Sequence, residues 1–239
     1  VVVNHEELTE TLEYWAKAED HLVRDYNITR QLTAPANFIV HSLCDVNKRL
    51  KKGRPFFVDI VRDGIALYEA PDQPFARSEP LSPAEALKEA EEHFAHWFVS
   101  AKSFGRNAGY AIRDQDLKLA AFLLHQSTER LYHCVLLVLT LYSPKSHKLN
   151  FLRSQAERLA PELIEAWPRE TKVQQRCFEL LRRAYVDARY SPHYKISGEE
   201  LAWISKQIQV LEGLVEQVCA ARLAALREAA AQSAQGARN

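Results

Sequence analysis

The segment that most constrains the fold is an apolar run near the middle of the chain, at its purest from Val135 to Leu141. It ends a stretch, from about Asp116 to Tyr142, whose composition favours a single helix. The second half of that helix is apolar on nearly every side, so other elements have to surround it. The run is much shorter than the ~20 residues needed to cross a bilayer. It therefore predicts the central helix of an all-α bundle.

The neighbouring segments supply further helices for this bundle. Ser82–Glu85 and Ser197–Glu200 are capping-box sequences, and each precedes apolar residues at helical spacing. We expect Gly105 and Gly109 to loosen the end of the first helix, and the Ala-rich residues 224–239 to fray. The other predicted helices cover about 149–159, 161–167, 170–190 and 201–218.

The first part of the chain mixes strand and helix patterns, which predicts a small, incomplete α/β region. Strands are expected at 1–4, 37–40 and 64–68, and helices at 6–26 and 43–50, while 56–61 fits either type. Three prolines lie between Ala70 and Ser82, a composition typical of a linker. The predicted organisation is an α/β region at 1–70, a linker at 71–81, a helical bundle at 82–222 and a tail at 223–239.

Composition excludes some partners and compartments. Lys and Arg total 31 and so do Asp and Glu, so nucleic acid could bind only through a local patch and not through bulk charge. The four cysteines form no C-x-x-C pair, and we interpret all of them as reduced core residues. No segment is typical of a signal peptide or membrane span, so we expect a cytoplasmic protein. The sequence starts at Val1 and contains no Met, which predicts missing upstream sequence.

Polar residues inside the apolar helices are the candidate functional groups. His125 and Glu129 are four positions apart, and Gln126 lies beside them. This spacing puts His125 and Glu129 on one helix face. They form either a buried pair that are hydrogen-bonded to each other or one wall of a polar groove.

A basic loop follows this helix. It contains Lys145, Ser146, His147 and Lys148, and Ser146 could cap the next helix. A helix N-terminus offers free N–H groups and a positive dipole end to a phosphate. The alternative is an ordinary basic loop with a helix cap.

A third cluster ends a later helix and combines arginine with tyrosine. Arg183, Arg189 and Tyr190 belong to it, and His193 follows. Arginine binds phosphate through two N–H groups, and tyrosine stacks on bases. Arg183 could instead form a surface ion pair with Asp187. His93 and His96 are three positions apart, but no third ligand completes a metal site.

Three motifs resemble the HEPN family of nucleotide-binding domains. Ala120–Glu129 matches A-A-x-x-x-x-Q-x-x-E, Pro144–Leu149 matches P-x-[ST]-H-x-L, and Ala184–Tyr190 matches A-x-x-x-A-R-Y. The resemblance implies an up-and-down helical bundle and a homodimer. It also implies a nucleotide of the ATP or GTP class, or RNA, as ligand.

The first part resembles a minimal nucleotidyltransferase domain, which often precedes this HEPN type. Val1–His5, Phe38–His41 and Asp63–Glu69 resemble its strands. The D-x-D carboxylates of that family would lie upstream, and its third carboxylate would fall near Asn37, where an amide is a poor Mg²⁺ ligand. The resemblance therefore implies no transferase activity in this chain alone, and Mg²⁺ only with an intact upstream site. The resemblance also implies a role in a toxin–antitoxin system.

Three hypotheses remain open from the sequence. In the first, the bundle binds a nucleotide through His125, Gln126, Glu129, Lys145, Ser146, His147, Lys148, Arg183, Arg189 and Tyr190. In the second, it is a ribonuclease that acts through Arg189 and His193. This pair fits better than Arg130 and His133, although both spacings are shorter than the family's R-x(4–6)-H motif. In the third, it is a non-catalytic dimerisation module. None of the three implies a membrane partner or DNA-specific binding.

Overall fold

A computed structural model describes residues 1–9, 12–34, 36 and 38–236. The chain divides into two compact units, Val1–Leu81 and Ser82–Asn239. Helices predominate in both units. Within the described ranges, no helix is long and apolar enough to cross a membrane.

The first unit is built from short elements. A 3-10 helix, Glu6–Thr9, is followed by α1, Leu12–Asn27. Strands β1, Val2–Val3, and β2, His41–Ser42, pair in parallel, with Val2 opposite His41. Two helices complete the unit, α2 at Leu43–Lys51 and α3 at Pro55–Asp63. Their buried side chains are few, which gives this unit a small core formed by Val46, Leu50 and Phe57.

The strand predictions for the first unit are largely wrong. Phe38–Val40 and Gly64–Tyr68 have no strand structure. Residues 56–61, for which helix and strand were both open, are helical. Ile65 and Leu67 are 87% and 96% exposed, and in the described residues no strand pairs with this segment. In the described residues the α/β character is limited to one two-stranded sheet. Asn37, the position of the expected third carboxylate, lies outside these residues.

The second unit is a bundle of long helices joined by short connections. Its α-helices are α4, Pro83–Arg113; α5, Leu117–Thr140; α6, Leu149–Leu159; α7, Lys172–Tyr190; and α8, Gly198–Gly236. A 3-10 helix, Pro161–Ala166, lies between α6 and α7. Both predicted capping boxes are present, since Ser82 and Glu85, and likewise Ser197 and Glu200, exchange hydrogen bonds.

Helix α5 is the centre of this bundle, as its apolar composition predicted. It packs against α4, α6, α7 and α8. Leu131, Val135 and Val138 are completely buried. The helix ends where Leu141 takes the left-handed conformation, with φ at 55° and ψ at 26°. This turn directs the following loop back over α5.

Three expectations about the helices and cysteines are wrong. Gly105 and Gly109 do not loosen α4, which continues to Arg113 because it packs against α5. Residues 224–236 stay helical, since Leu226 is buried and Arg227 contacts Glu91 of α4 at 2.7 Å. Cys44 is exposed and is not a core residue, whereas the other three cysteines are buried and free.

Candidate functional site

The candidate site forms where α5, the loop 141–148 and the end of α7 meet. Helix α5 contributes Phe122, His125, Gln126 and Glu129, which recur at intervals of three and four residues and so share one side of the helix. The loop contributes His147. Helix α7 supplies further aromatic and basic side chains, described below.

Glu129 is the polar centre of the site. Its Oε1 lies 3.0 Å from Nδ1 of His147, and its Oε2 accepts a 3.4 Å hydrogen bond from Nε2 of Gln126. Burial raises the pKa of Glu129, while its hydrogen bond with His147 opposes that rise. The carboxylate thus holds the loop against α5 by one direct hydrogen bond.

His125 lies deeper and has a different environment. Its side chain is completely buried, and neither ring nitrogen has a hydrogen-bond partner. Its Nδ1 is 3.7 Å from Oε2 of Glu129, which is longer than a hydrogen bond. Burial lowers the pKa of His125 to about 3, and the nearby charges of His147 and Arg189 act in the same direction. The imidazole is therefore neutral, and it forms no ion pair with Glu129.

Tyr185 of α7 connects these groups by ring contacts. The ring of His147 stacks on Tyr185 at 4.7 Å with an interplanar angle of 11°. His125 lies 5.3 Å and Phe122 6.4 Å from the same ring. The loop and α5 are both fixed to α7 through this one side chain.

Arg189 lies one turn after Tyr185 and is surrounded by aromatic rings. Its guanidinium carbon is 4.9 Å from the ring centre of Phe122, 4.6 Å from that of Tyr185 and 5.0 Å from that of Tyr190. Its Nε donates a 2.6 Å hydrogen bond to the carbonyl of Tyr185. We call Phe122, His147, Tyr185, Arg189 and Tyr190 the Arg189 cluster.

Arg189 differs from Arg182 and Arg183 of α7 in having no ion pair with a carboxylate in the described residues. Arg182 pairs with Glu179 and Arg183 with Asp187 at 2.6 Å. Among the described residues, no carboxylate forms an ion pair with Arg189. The positive charge of Arg189 is therefore open to an anionic ligand, whereas Arg183 has the surface ion pair that the sequence allowed.

The basic loop only partly matches its predicted geometry. Ser146 does not cap α6, because the N-cap residue is Lys148; the Oγ of Ser146 instead accepts a 3.2 Å hydrogen bond from the Lys148 backbone. The first turn of α6 has no side-chain cap, and it directly follows the loop that contains Lys145.

The predicted pair of Arg189 and His193 is not in contact. His193 lies beyond α7 and is exposed, and its backbone N–H donates to Oγ of Ser191 at 3.2 Å. The contacts of the Arg189 side chain are instead with Tyr185, Phe122 and Tyr190.

Two members of the Arg189 cluster, Phe122 and Tyr185, are not among the residues that the sequence predicted to bind the nucleotide, although Tyr185 lies within the third cluster. Both occur inside the quoted motifs, and Tyr185 is four positions before Arg189. That spacing is the signal that could have revealed it, because residues at i and i+4 are neighbours on a helix.

The described residues were also compared with the requirements of a metal site and of a ligand pocket. No group of three His, Cys, Asp or Glu residues is arranged to hold a metal ion in these ranges. The first unit has a pocket of about 520 Å³ whose walls are mostly apolar, lined by Val1, Trp15, Lys17, Ala18, His21, Leu22 and Phe38.

Comparison with known proteins gives one result that coincides with the site. The family model described as HEPN domain matches residues 94–218, slightly more than half of the chain. This region includes all the residues of the Arg189 cluster, as well as His125, Gln126 and Glu129. No curated protein matches the sequence.

Proposed function

Because the chain belongs to the HEPN domain family, we propose that its helical unit binds a nucleotide of the ATP or GTP class at the Arg189 cluster. The observation that carries the proposal is the guanidinium of Arg189, which lies over three aromatic rings and has no carboxylate partner in the described ranges. A guanidinium with an unneutralised charge is suited to bidentate binding of phosphate.

Aromatic surface beside this charge supports binding of a base. Tyr190 is 73% exposed, and the side chain of His147 is 59% exposed. Exposed planar rings stack on bases of any type, and a neighbouring arginine adds to the attraction. Phosphate and base would thus contact adjacent members of one cluster.

The surrounding residues have supporting roles in this proposal. Gln126 and Glu129 hold His147 in place, and buried, neutral His125 packs behind Tyr185. Lys145 and Lys148, with Ser146 between them, bring positive charge to the same loop, and the uncapped N-terminus of α6 follows it. The chain has no net charge, so affinity has to come from this local surface.

The test is calorimetric titration of ATP and GTP into the purified chain and into its Arg189→Gln variant. Arg182→Gln is the matched control, because Arg182 lies on the same helix but is paired with Glu179. Loss of a charged hydrogen bond, worth about 1.5–3 kcal/mol, should weaken binding by about tenfold or more. The absence of saturable binding, or equal affinities of the two variants, would overturn the proposal.

A second candidate function, cleavage of RNA, is favoured by the contact between Glu129 and His147. A carboxylate that holds Nδ1 of an exposed histidine leaves Nε2 available to exchange a proton, and Arg189 would stabilise the negative charge on the phosphorane oxygens. In this reading, His147 replaces His193 as the acid or base. Cleavage of a short RNA in the presence of EDTA, lost in His147→Ala, would support it.

Several finer interpretations stay predictions. They are the nucleotidyltransferase origin of the first unit, with Mg²⁺ only at an intact upstream site, a homodimer and a toxin–antitoxin role. Light scattering of the purified chain tests the homodimer directly, since a two-fold increase over 27.4 kDa is expected.

A further inference from the structure

A second cluster of one arginine and several aromatic rings lies between α4 and α5. The guanidinium carbon of Arg130 is 5.2 Å from the ring centre of Trp97 and 4.9 Å from that of Phe104. All three side chains are half-buried. Within the described ranges Arg130 forms no ion pair, and its buried Nε has no hydrogen-bond partner. Arg130 therefore combines a guanidinium that forms no ion pair in these ranges with flat apolar surface, as Arg189 does.

His133 extends this second cluster without adding charge. Its ring lies 5.0 Å from that of Trp97, and its Nδ1 is 2.6 Å from Oγ of Ser143. Burial lowers the pKa of His133 to about 4, so its imidazole is neutral near pH 7. We call Trp97, Phe104, Arg130 and His133 the Arg130 cluster.

One face of α5 carries residues of both clusters. Phe122, Gln126, Glu129 and His133 are spaced by four, three and four positions, which puts them on one helix face. Phe122 belongs to the Arg189 cluster and His133 to the Arg130 cluster. Measured along the axis of α5, Arg130 lies about 12 Å beyond Phe122, at 1.5 Å per residue. Glu129 lies between the clusters, since the charges of both His147 and Arg130 act on its carboxylate.

We propose that a single-stranded oligonucleotide binds across both clusters, with Arg130, Trp97 and Phe104 forming a second subsite for phosphate and base. The proposal rests on the proposed function, because the Arg189 cluster supplies the first subsite. In a stacked strand the phosphates of one chain rise by about 3.4 Å per nucleotide, so ~12 Å corresponds to about four nucleotides. A mononucleotide would occupy only the Arg189 cluster.

An arginine beside aromatic rings occurs in both clusters, and this arrangement favours a nucleic acid strand over an acidic peptide as the ligand. Each cluster presents one cation beside aromatic rings, and a strand likewise alternates one phosphate with one planar base. An acidic peptide would supply the negative charges without the planar groups, and its attraction would depend on charge alone.

The experiment measures how affinity depends on ligand length. UMP and uridine oligonucleotides of two, four and eight residues are titrated into the chain and into three variants. The variants are Arg130→Gln, Trp97→Leu and the control Lys102→Gln, whose cation lies over Phe98 at 5.5 Å elsewhere on α4. An oligoglutamate of eight residues serves as a polyanion without bases.

The wild type and the control should bind the tetranucleotide at least about tenfold more tightly than UMP, in line with the contribution of one stacked base. Arg130→Gln and Trp97→Leu should lose this gain and keep the affinity for UMP. In the wild type, the tetranucleotide should also quench the Trp97 fluorescence, identified by difference from Trp97→Phe. UMP should leave that fluorescence unchanged. The quenching tests the proposal even where Arg130→Gln or Trp97→Leu fails to fold, because it needs only the wild type and the conservative variant Trp97→Phe.

Equal affinities for UMP and the tetranucleotide would overturn the second subsite, as would a gain that persists in Arg130→Gln. Tight binding of oligoglutamate would overturn it too, because charge alone would then explain the attraction. If the tetranucleotide binds no more tightly than UMP but Arg189→Gln still weakens ATP binding, only the second subsite is refuted. If Arg189→Gln has no effect on ATP, the proposed function itself fails.

Discussion

Oε1 of Glu129 lies 3.0 Å from Nδ1 of His147, eighteen positions further along the chain. The carboxylate is buried on α5, whereas the imidazole projects from a loop and stacks on Tyr185 of α7. One hydrogen bond and one ring contact thus fix the loop to two helices. The position of His147 depends on both partners.

The first prediction concerns the strength of this hydrogen bond. A double-mutant cycle with Glu129→Leu and His147→Ala should give a coupling of about 1 kcal/mol in the free energy of unfolding, measured in urea. Exposure of His147 keeps the value near the lower limit for a charged hydrogen bond. The matched cycle of the exposed pair Glu91 and Arg227 should give about 0.5 kcal/mol or less. Equal couplings in the two cycles would contradict a special role for Glu129.

The second prediction concerns acid stability and His125. Its pKa is about 3 in the folded protein and near 6.5 when unfolded, so between these values only the unfolded chain binds the proton. Its contribution to stability is complete above pH 6.5 and is lost as the pH falls towards 3, by up to about 1.4 kcal/mol per pH unit. His125→Leu should therefore lose less stability than the wild type between pH 7.5 and pH 5.

Urea unfolding followed by circular dichroism at the two pH values measures this difference. Some pH dependence should remain in His125→Leu, because the pKa of His133 is also lowered, to about 4. His96→Leu is the control, since His96 is exposed on α4. An unchanged pH dependence in His125→Leu would show that His125 is protonated or solvated in the folded protein.

The third prediction separates base stacking from phosphate binding. Tyr190→Leu should weaken ATP binding by about tenfold, because a stacked base contributes roughly 1–3 kcal/mol. Tyr110→Leu should have no effect, although Tyr110 is also exposed and lies beside a cation, Arg113, at 4.7 Å. Titration of inorganic triphosphate completes the test, since its affinity should be equal in the wild type and in Tyr190→Leu.

The fourth prediction concerns the two glycines of α4. A Cβ at Gly109 would meet no atom within 4 Å, so Gly109→Ala should raise the free energy of unfolding by about 0.5–1 kcal/mol through helix propensity. A Cβ at Gly105 would lie 3.5 Å from both Ser127 and Glu212, which is ordinary contact, so Gly105→Ala should be at least neutral. A loss of stability in Gly109→Ala, measured by urea unfolding, would contradict a continuous α4.

Local patterns were sufficient to predict most of the helical unit. The apolar run of α5 requires surrounding helices, and the capping boxes at Ser82 and Ser197 satisfy N–H groups within three residues. Both signals act at short range along the chain. The first unit was predicted poorly, because a strand needs a partner from elsewhere, and Gly64–Tyr68 has none in the described residues.

For the candidate site, too, the sequence determined some features and the tertiary structure decided the others. By itself, the sequence determined which residue types could act, including His147 and Arg189, and it determined the i,i+4 neighbours on each helix. Only the tertiary structure decided that Arg189 lies among rings without an ion pair, that Ser146 is not a helix cap, and that Arg130 repeats the same arrangement. These contacts join α4, α5, α7 and the loop. Contacts across elements depend on how the helices pack, and no spacing within a single helix specifies that packing.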